Sequence, residues 1–190
     1  MKNLSRIKPR VFFFILLQIL IVSTLHGQDH EEVTNHEHEN EHSRHSISIM
    51  IGHTHIPKGF HGAENSKALI VPSWGLNYVF HINEKWAIGW LNDMEVATYV
   101  VQESDAGIIL RERPVIVSLV GIFKPSKSIG LLAGVGREFE KHQDFWVLRV
   151  GIEFEVEINE SWTMLPSLTY DIKEAIYDSW AIGLSVARRF

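Results

Sequence analysis

The sequence predicts an all-β chain, an eight-stranded antiparallel up-and-down transmembrane β-barrel preceded by a disordered His/Glu-rich tail. Three observations carry that prediction. Apolar and polar residues alternate from Ser46 to Phe190, and a period of two is the spacing at which side chains of an extended strand share a face. Turn signals divide the same stretch regularly and come in two kinds, short and long. The chain opens on a basic segment followed by an apolar one, the pattern of an exported protein.

Residues 1–27 are expected to be a cleaved signal peptide. Lys2, Arg6, Lys8 and Arg10 precede the first acidic residue, Asp29, and Val11 to Leu25 is apolar apart from Gln18 and two hydroxyl residues. Fifteen helical residues span roughly 22 Å, short of a bilayer core of about 30 Å, so a single-pass anchor is the weaker reading. Leu25-His26-Gly27 puts a small residue before Gln28, where cleavage is expected. The sequence has no cysteine, which excludes a disulfide staple and acylation of the lipoprotein kind. Losing those four bases takes the net charge from −5 to −9 (−5 − 4), and that acidity argues against nucleic acid as a partner.

Residues 28–45 hold one aliphatic residue, Val33. Such a segment cannot bury enough apolar surface to offset the entropy of ordering, so a disordered periplasmic tail is expected. Its candidate metal-ligating residues are His36, His38, His42 and His45, at the close spacings His36-Glu-His38 and His42-Ser-Arg-His45. Imidazole beside carboxylate suits divalent zinc, copper or nickel. A solvated polar spacer is the competing reading. A second histidine group, His53, His55 and His61, follows. If 46–56 is a strand, His45 and His53 lie about 26 Å apart, so the two groups do not form one site.

From Ser46 onward, strands are expected at 46–56, 68–82, 86–101, 108–123, 129–140, 145–158, 162–172 and 178–190. The turns Ile82-Asn-Glu-Lys-Trp86 and Ile158-Asn-Glu-Ser-Trp162 are near-copies, and Phe123-Lys-Pro-Ser-Lys-Ser128 is a third. Looser polar connections centre on 57–67, 102–107, 141–144 and 173–177. Strand two sets Trp74, Leu76, Tyr78 and Phe80 against Ser73, Gly75, Asn77 and His81. Strand six sets Trp146, Leu148, Val150 and Ile152 against Arg149, Gly151, Glu153 and Glu155. Aromatics crowd the apolar face while Gly75, Gly89, Gly134, Gly136, Gly151 and Gly183 crowd the polar one. A narrow eight-stranded interior needs small residues, whereas a solvent face does not.

Residues 46–190 thus resemble the small eight-stranded bacterial outer-membrane barrels of the OmpA/OmpX type or the related porin-like barrels. The resemblance rests on strand count, on short turns opposite longer loops, and on an apolar closing strand ending at Phe190. It implies outer-membrane lipids as partners, recognition of Phe190 by the outer-membrane assembly machinery, and both termini in the periplasm. Trp86 and Trp162 then mark one membrane interface, and Trp74, Trp146 and Trp180 the other. No oligomeric state is implied.

The function expected is a non-enzymatic barrel acting in outer-membrane structure or in surface binding through its loops. No Gly-x-Ser-x-Gly elbow and no phosphate loop occurs in the sequence. Asp93, Glu95, Glu138, Arg149, Glu153, Glu155, Asp171 and Lys173 fall on the inner face. Charges there are expensive unless paired, so Arg149 and Lys173 are expected to be engaged by carboxylates and the interior to be filled by side chains. Metal capture by the tail is the first alternative, and a soluble lipocalin-like ligand-binding barrel the second.

Overall fold

The computed structural model describes residues 44–57, 59–60, 68–103, 107–174 and 177–190. The expected signal peptide and the tail up to residue 43 lie outside that set, as does His61. The elements are β1 (His45–Ile56), β2 (Gly59–Phe60), β3 (Leu69–His81), β4 (Trp86–Glu95), β5 (Thr98–Glu103) and β6 (Gly107–Glu112). They continue as β7 (Val115–Ser126), β8 (Ile129–Phe139), β9 (Phe145–Phe154), β10 (Val156–Glu157), β11 (Trp162–Lys173) and β12 (Tyr177–Arg189).

The barrel closes in the order β1-β3-β4-β7-β8-β9-β11-β12, with every neighbouring pair antiparallel and β12 returning to β1. Closure leaves no unpaired edge, which is the condition for a sheet to cross a bilayer. A second, three-stranded sheet of β2, β5 and β6 continues beyond β4 and β7.

The two tight turns are built alike because their sequences are. Asn83 Oδ1 accepts the N–H groups of Lys85 and Trp86, each at 2.9 Å. Asn159 Oδ1 accepts those of Ser161 and Trp162, each at 3.0 Å. The carboxamide stands in for a backbone carbonyl and reverses the chain in four residues.

Polarity is distributed as a bilayer requires. Ile49, Ile51, Ile70, Trp74, Leu119, Val135, Trp146, Leu148 and Ile182 are among the large apolar side chains left exposed. The buried set includes Glu95, Arg111, Glu138, Arg149, Asp171 and Lys173. That is the reverse of a soluble lipocalin-like barrel, whose apolar residues would line the inside. Trp86 packs on Phe123 with centroids 4.8 Å apart at one end of the belt, and Trp180 stacks on His55 at 4.7 Å toward the other.

Several strand limits differ from the sequence expectation. β7 runs to Ser126, past the expected turn at 123–128, and a bulge between Phe123 and Ser126 absorbs Pro125 in the wall. The second of the longer hairpins is broken into β4/β5 and β6/β7, where continuous strands 86–101 and 108–123 are expected. Arg113 causes the second break, with φ of 48° ahead of Pro114. A left-handed residue turns the strand and shifts its alternation by one. Odd-numbered Ile109 and Arg111 point inward before it, and even-numbered Ile116, Ser118, Val120 and Ile122 after it.

Candidate functional site in the barrel interior

Inward side chains from β4, β5, β6, β7, β8, β9, β11 and β12 meet inside the barrel in three layers of opposite charges. At the end opposite the tight turns, Lys173 Nζ lies 2.7 Å from Glu138 and 3.3 Å from Glu95. Its ammonium also donates to the Tyr177 hydroxyl at 3.2 Å. Arg111 pairs with the same Glu138 and donates to the Gln143 carbonyl at 2.6 Å. Tyr177 donates to Glu138 at 2.8 Å, and Tyr99 donates to Glu95. The side chains of Arg111, Glu138 and Lys173 are 0% exposed. Glu138 thus binds two cations and a phenol, partners that offset the cost of burying a carboxyl group.

An apolar cap of Ile56, Leu69, Val71, Tyr99, Val101, Phe145 and Tyr177 packs with this layer. The Arg111 guanidinium sits 4.5 Å over the Phe145 ring, and Lys173 Nζ 4.5 Å over the Tyr177 ring.

The middle layer is a fork. Arg149 Nε and Nη2 donate to the two carboxylate oxygens of Asp171 at 2.7 and 2.8 Å, and Nη1 pairs with Asp93. Planar guanidinium and carboxylate match in this bidentate form. Across the ladder Arg149 and Asp171 are register partners on β9 and β11, so pairing follows directly from strand register. In the third layer, near the tight turns, Glu155 pairs with Lys124 and with Arg189 at 3.0 Å. Glu153 lines two small cavities of about 50 and 40 Å³ between the layers.

Glycine sets how close the wall comes to these layers. A Cβ on Gly75 would lie 2.6 Å from the Asn92 carbonyl, and one on Gly134 2.1 Å from the Leu119 carbonyl. Met50 fills the space left by Gly52, Gly75 and Gly183.

The sequence-predicted metal residues are not gathered by this interior. His36, His38 and His42 lie outside the described residues. His45 is the first residue of β1, where its Nδ1 is 2.7 Å from the Tyr78 hydroxyl and its ring stacks on Phe190. Among the described residues no group of three or more His, Cys, Asp or Glu side chains could hold a metal ion. His53 is exposed on β1, and His55 lies two residues on along the same face.

Sequence reasoning missed Arg111, Tyr99, Tyr177 and Lys124. Arg111 was hidden by the change of alternation at Arg113; unbroken alternation puts it on the lipid side. It also missed that His38-Glu-Asn-Glu-His42 has the His-Glu-x-x-His spacing of a helical zinc site. The motif needs an amphipathic helix to aim both imidazoles one way, and 28–45 has one aliphatic residue with which to build it.

The fold is shared with solved outer-membrane proteins. Neisserial surface protein A matches over 77% of this chain and 97% of its own, at 9% identity and a TM-score of 0.53. The outer membrane protein OprG from Pseudomonas aeruginosa matches over 78% and 98%, at 14% identity and 0.51. The N-terminal β-barrel domain of Pseudomonas aeruginosa OprF matches over 76% and 97%, at 12% identity and 0.48. The sequence matches no protein-family model and no curated protein. The first two matches establish a small eight-stranded outer-membrane type of barrel, and identities this low leave activity to the residues themselves.

Proposed function

We propose that this chain is a non-enzymatic outer-membrane barrel with a side-chain-filled interior, acting in membrane structure or surface binding through its outer loops. Both termini then lie on the periplasmic side, with the tight turns at 82–85 and 158–161. The single observation carrying the reading is the outer layer, in which Glu138 ties Arg111 and Lys173 together at 0% exposure. A solute crossing the barrel has to break those pairs. Cavities of about 50 and 40 Å³ are separated from the outer mouth by that layer. Eight strands enclose room for side chains, whereas aqueous channels take about 16.

Two experiments test it. Cell fractionation with gel electrophoresis of boiled and unboiled samples reads membrane residence and barrel folding together. A purely soluble periplasmic fraction that migrates alike in both would overturn the membrane assignment. Planar-bilayer recording reads the interior: silence supports filling, and steady conductance of porin size refutes it.

A further inference from the structure

The outward face carries few charges. Among the described residues of the eight barrel strands, the cations that face outward are Arg137 on β8 and Arg188 on β12. Arg137 lies at the outer end of the belt, register partner of Trp146 on β9 and Val117 on β7. Its guanidinium is 5.4 Å from the Trp146 ring centroid and 5.9 Å from that of Phe139. Below it run exposed Val135 and Leu148.

Arg137 keeps donors to spare. Its side chain is 44% exposed, and its recorded ion pair is a single 3.5 Å contact to Asp144 Oδ2. The other Asp144 oxygen already accepts the Glu140 N–H at 3.0 Å. By contrast, interior Arg149 spends three nitrogens on two carboxylates. The loop following β8 adds Lys141, 67% exposed and 3.2 Å from Glu112, and His142, 49% exposed. Solvated pairs of this kind exchange partners at little cost.

Resting on the membrane reading above, we propose that the outer end of the β8–β9 hairpin binds a membrane lipid whose headgroup carries an anionic phosphomonoester. Arg137 and Lys141 hold the phosphate, Trp146 sits at headgroup depth, and the acyl chains lie along Val135 and Leu148. A guanidinium already stacked on an indole offers its edge N–H groups to a phosphate without further ordering. The strip beneath is apolar, and the rim cations Arg137 and Lys141 are held by Asp144 and Glu112 through solvated pairs that a lipid phosphate can displace.

The full chain, refolded in detergent, is examined by native mass spectrometry with phosphatidic acid and phosphatidylcholine of identical acyl chains. Preferential retention of phosphatidic acid is expected. Arg137→Gln and Lys141→Gln should each lower that preference about fivefold, at about 1 kcal/mol per surface cation. Arg188→Gln, at the opposite end, should leave it unchanged. Equal retention of the two lipids, an unchanged ratio in Arg137→Gln, or an equal loss in Arg188→Gln would overturn the site. Suppression by the same concentration of inorganic phosphate would overturn it too, by marking a free-anion site. The gel shift on boiling is read for every variant. If the wild type lacks it, the membrane reading falls and this site with it; if the shift stands and the lipid ratio is flat, only the site falls.

Discussion

His45 and Phe190 close the barrel seam through both backbone and ring. The Phe190 N–H donates to the His45 carbonyl at 2.9 Å, the His45 N–H donates back to the Phe190 carbonyl at 3.3 Å, and the rings stack with centroids 6.0 Å apart. β1 and β12 are far apart in sequence, so every pair on this seam closes a long loop at an entropic cost.

Deleting Phe190 removes both terminal bonds and the ring contact, whereas Phe190→Ala removes the ring alone. The deletion is therefore expected to lower the amount of folded, heat-modifiable protein in the membrane fraction, with Phe190→Ala intermediate. Equal insertion of all three forms would show that the seam does not need its last pair.

Breaking the middle layer should be costly. Arg149→Met leaves Asp93 and Asp171 buried without their cation, a loss of about 3–5 kcal/mol. Neutralising the exposed pair, by Lys141→Gln, should stay within about 1 kcal/mol. Urea unfolding from lipid vesicles measures both. A smaller loss for Arg149→Met than for Lys141→Gln would mean the fork contributes nothing net.

The eight crossings, the two Asn-Glu turns and the inward set Asp93, Glu95, Glu138, Arg149, Asp171 and Lys173 could be read in the sequence, because alternation and register are local properties of a strand. Where alternation is interrupted, that reading fails. Arg113 shifts the phase by one residue, so Arg111 moves from the expected lipid-facing side to the core of the Glu138 layer. Pairings across the lumen were legible only as a charge balance. Glu138 choosing both Lys173 and Arg111 depends on how far three side chains reach across a closed barrel, and no spacing along the chain encodes that distance.

The phase shift itself can be tested. Arg113 pays for its positive φ in steric strain, which glycine lacks and a β-branched residue increases. Arg113→Gly should keep or slightly raise stability, and Arg113→Val should cost about 1–2 kcal/mol more. If valine proves neutral, the left-handed turn is not what sets the phase of β6.

Gly134 and Gly121 occupy opposite faces of the wall. An added methyl at Gly134 meets Leu119 backbone oxygen at 2.1 Å and Val120 Cα at 2.6 Å, whereas at Gly121 the nearest atom is 3.9 Å away. Gly134→Ala should therefore destabilise the barrel by about 1–3 kcal/mol, with Gly121→Ala nearly neutral. Comparable unfolding midpoints for the two variants would contradict the close inner approach.

Glu140, in the loop between β8 and β9, gives that end of the barrel a pH dependence with a definite sign. Burial pushes its carboxyl upward, but backbone N–H groups of His142, Glu112, Lys141 and Gln143 outweigh burial and hold it below the ordinary carboxylate value. The His142 N–H donates to Oε2 at 2.7 Å and the Glu112 N–H to Oε1 at 3.2 Å. A carboxyl depressed in the folded state binds its proton more readily when unfolded. Its stabilisation is thus complete above the unfolded value of about 4.3 and is lost as pH falls through the lower folded value. Amide hydrogen exchange of residues 140–144 should accordingly gain a loosening step below pH about 4.3, beyond the intrinsic pH dependence of exchange. Glu140→Gln should lack that step and be looser at neutral pH, since a carboxamide accepts with one oxygen where the carboxylate accepts with two. Identical profiles for the two forms from pH 3 to pH 7 would remove Glu140 as the loop's anchor.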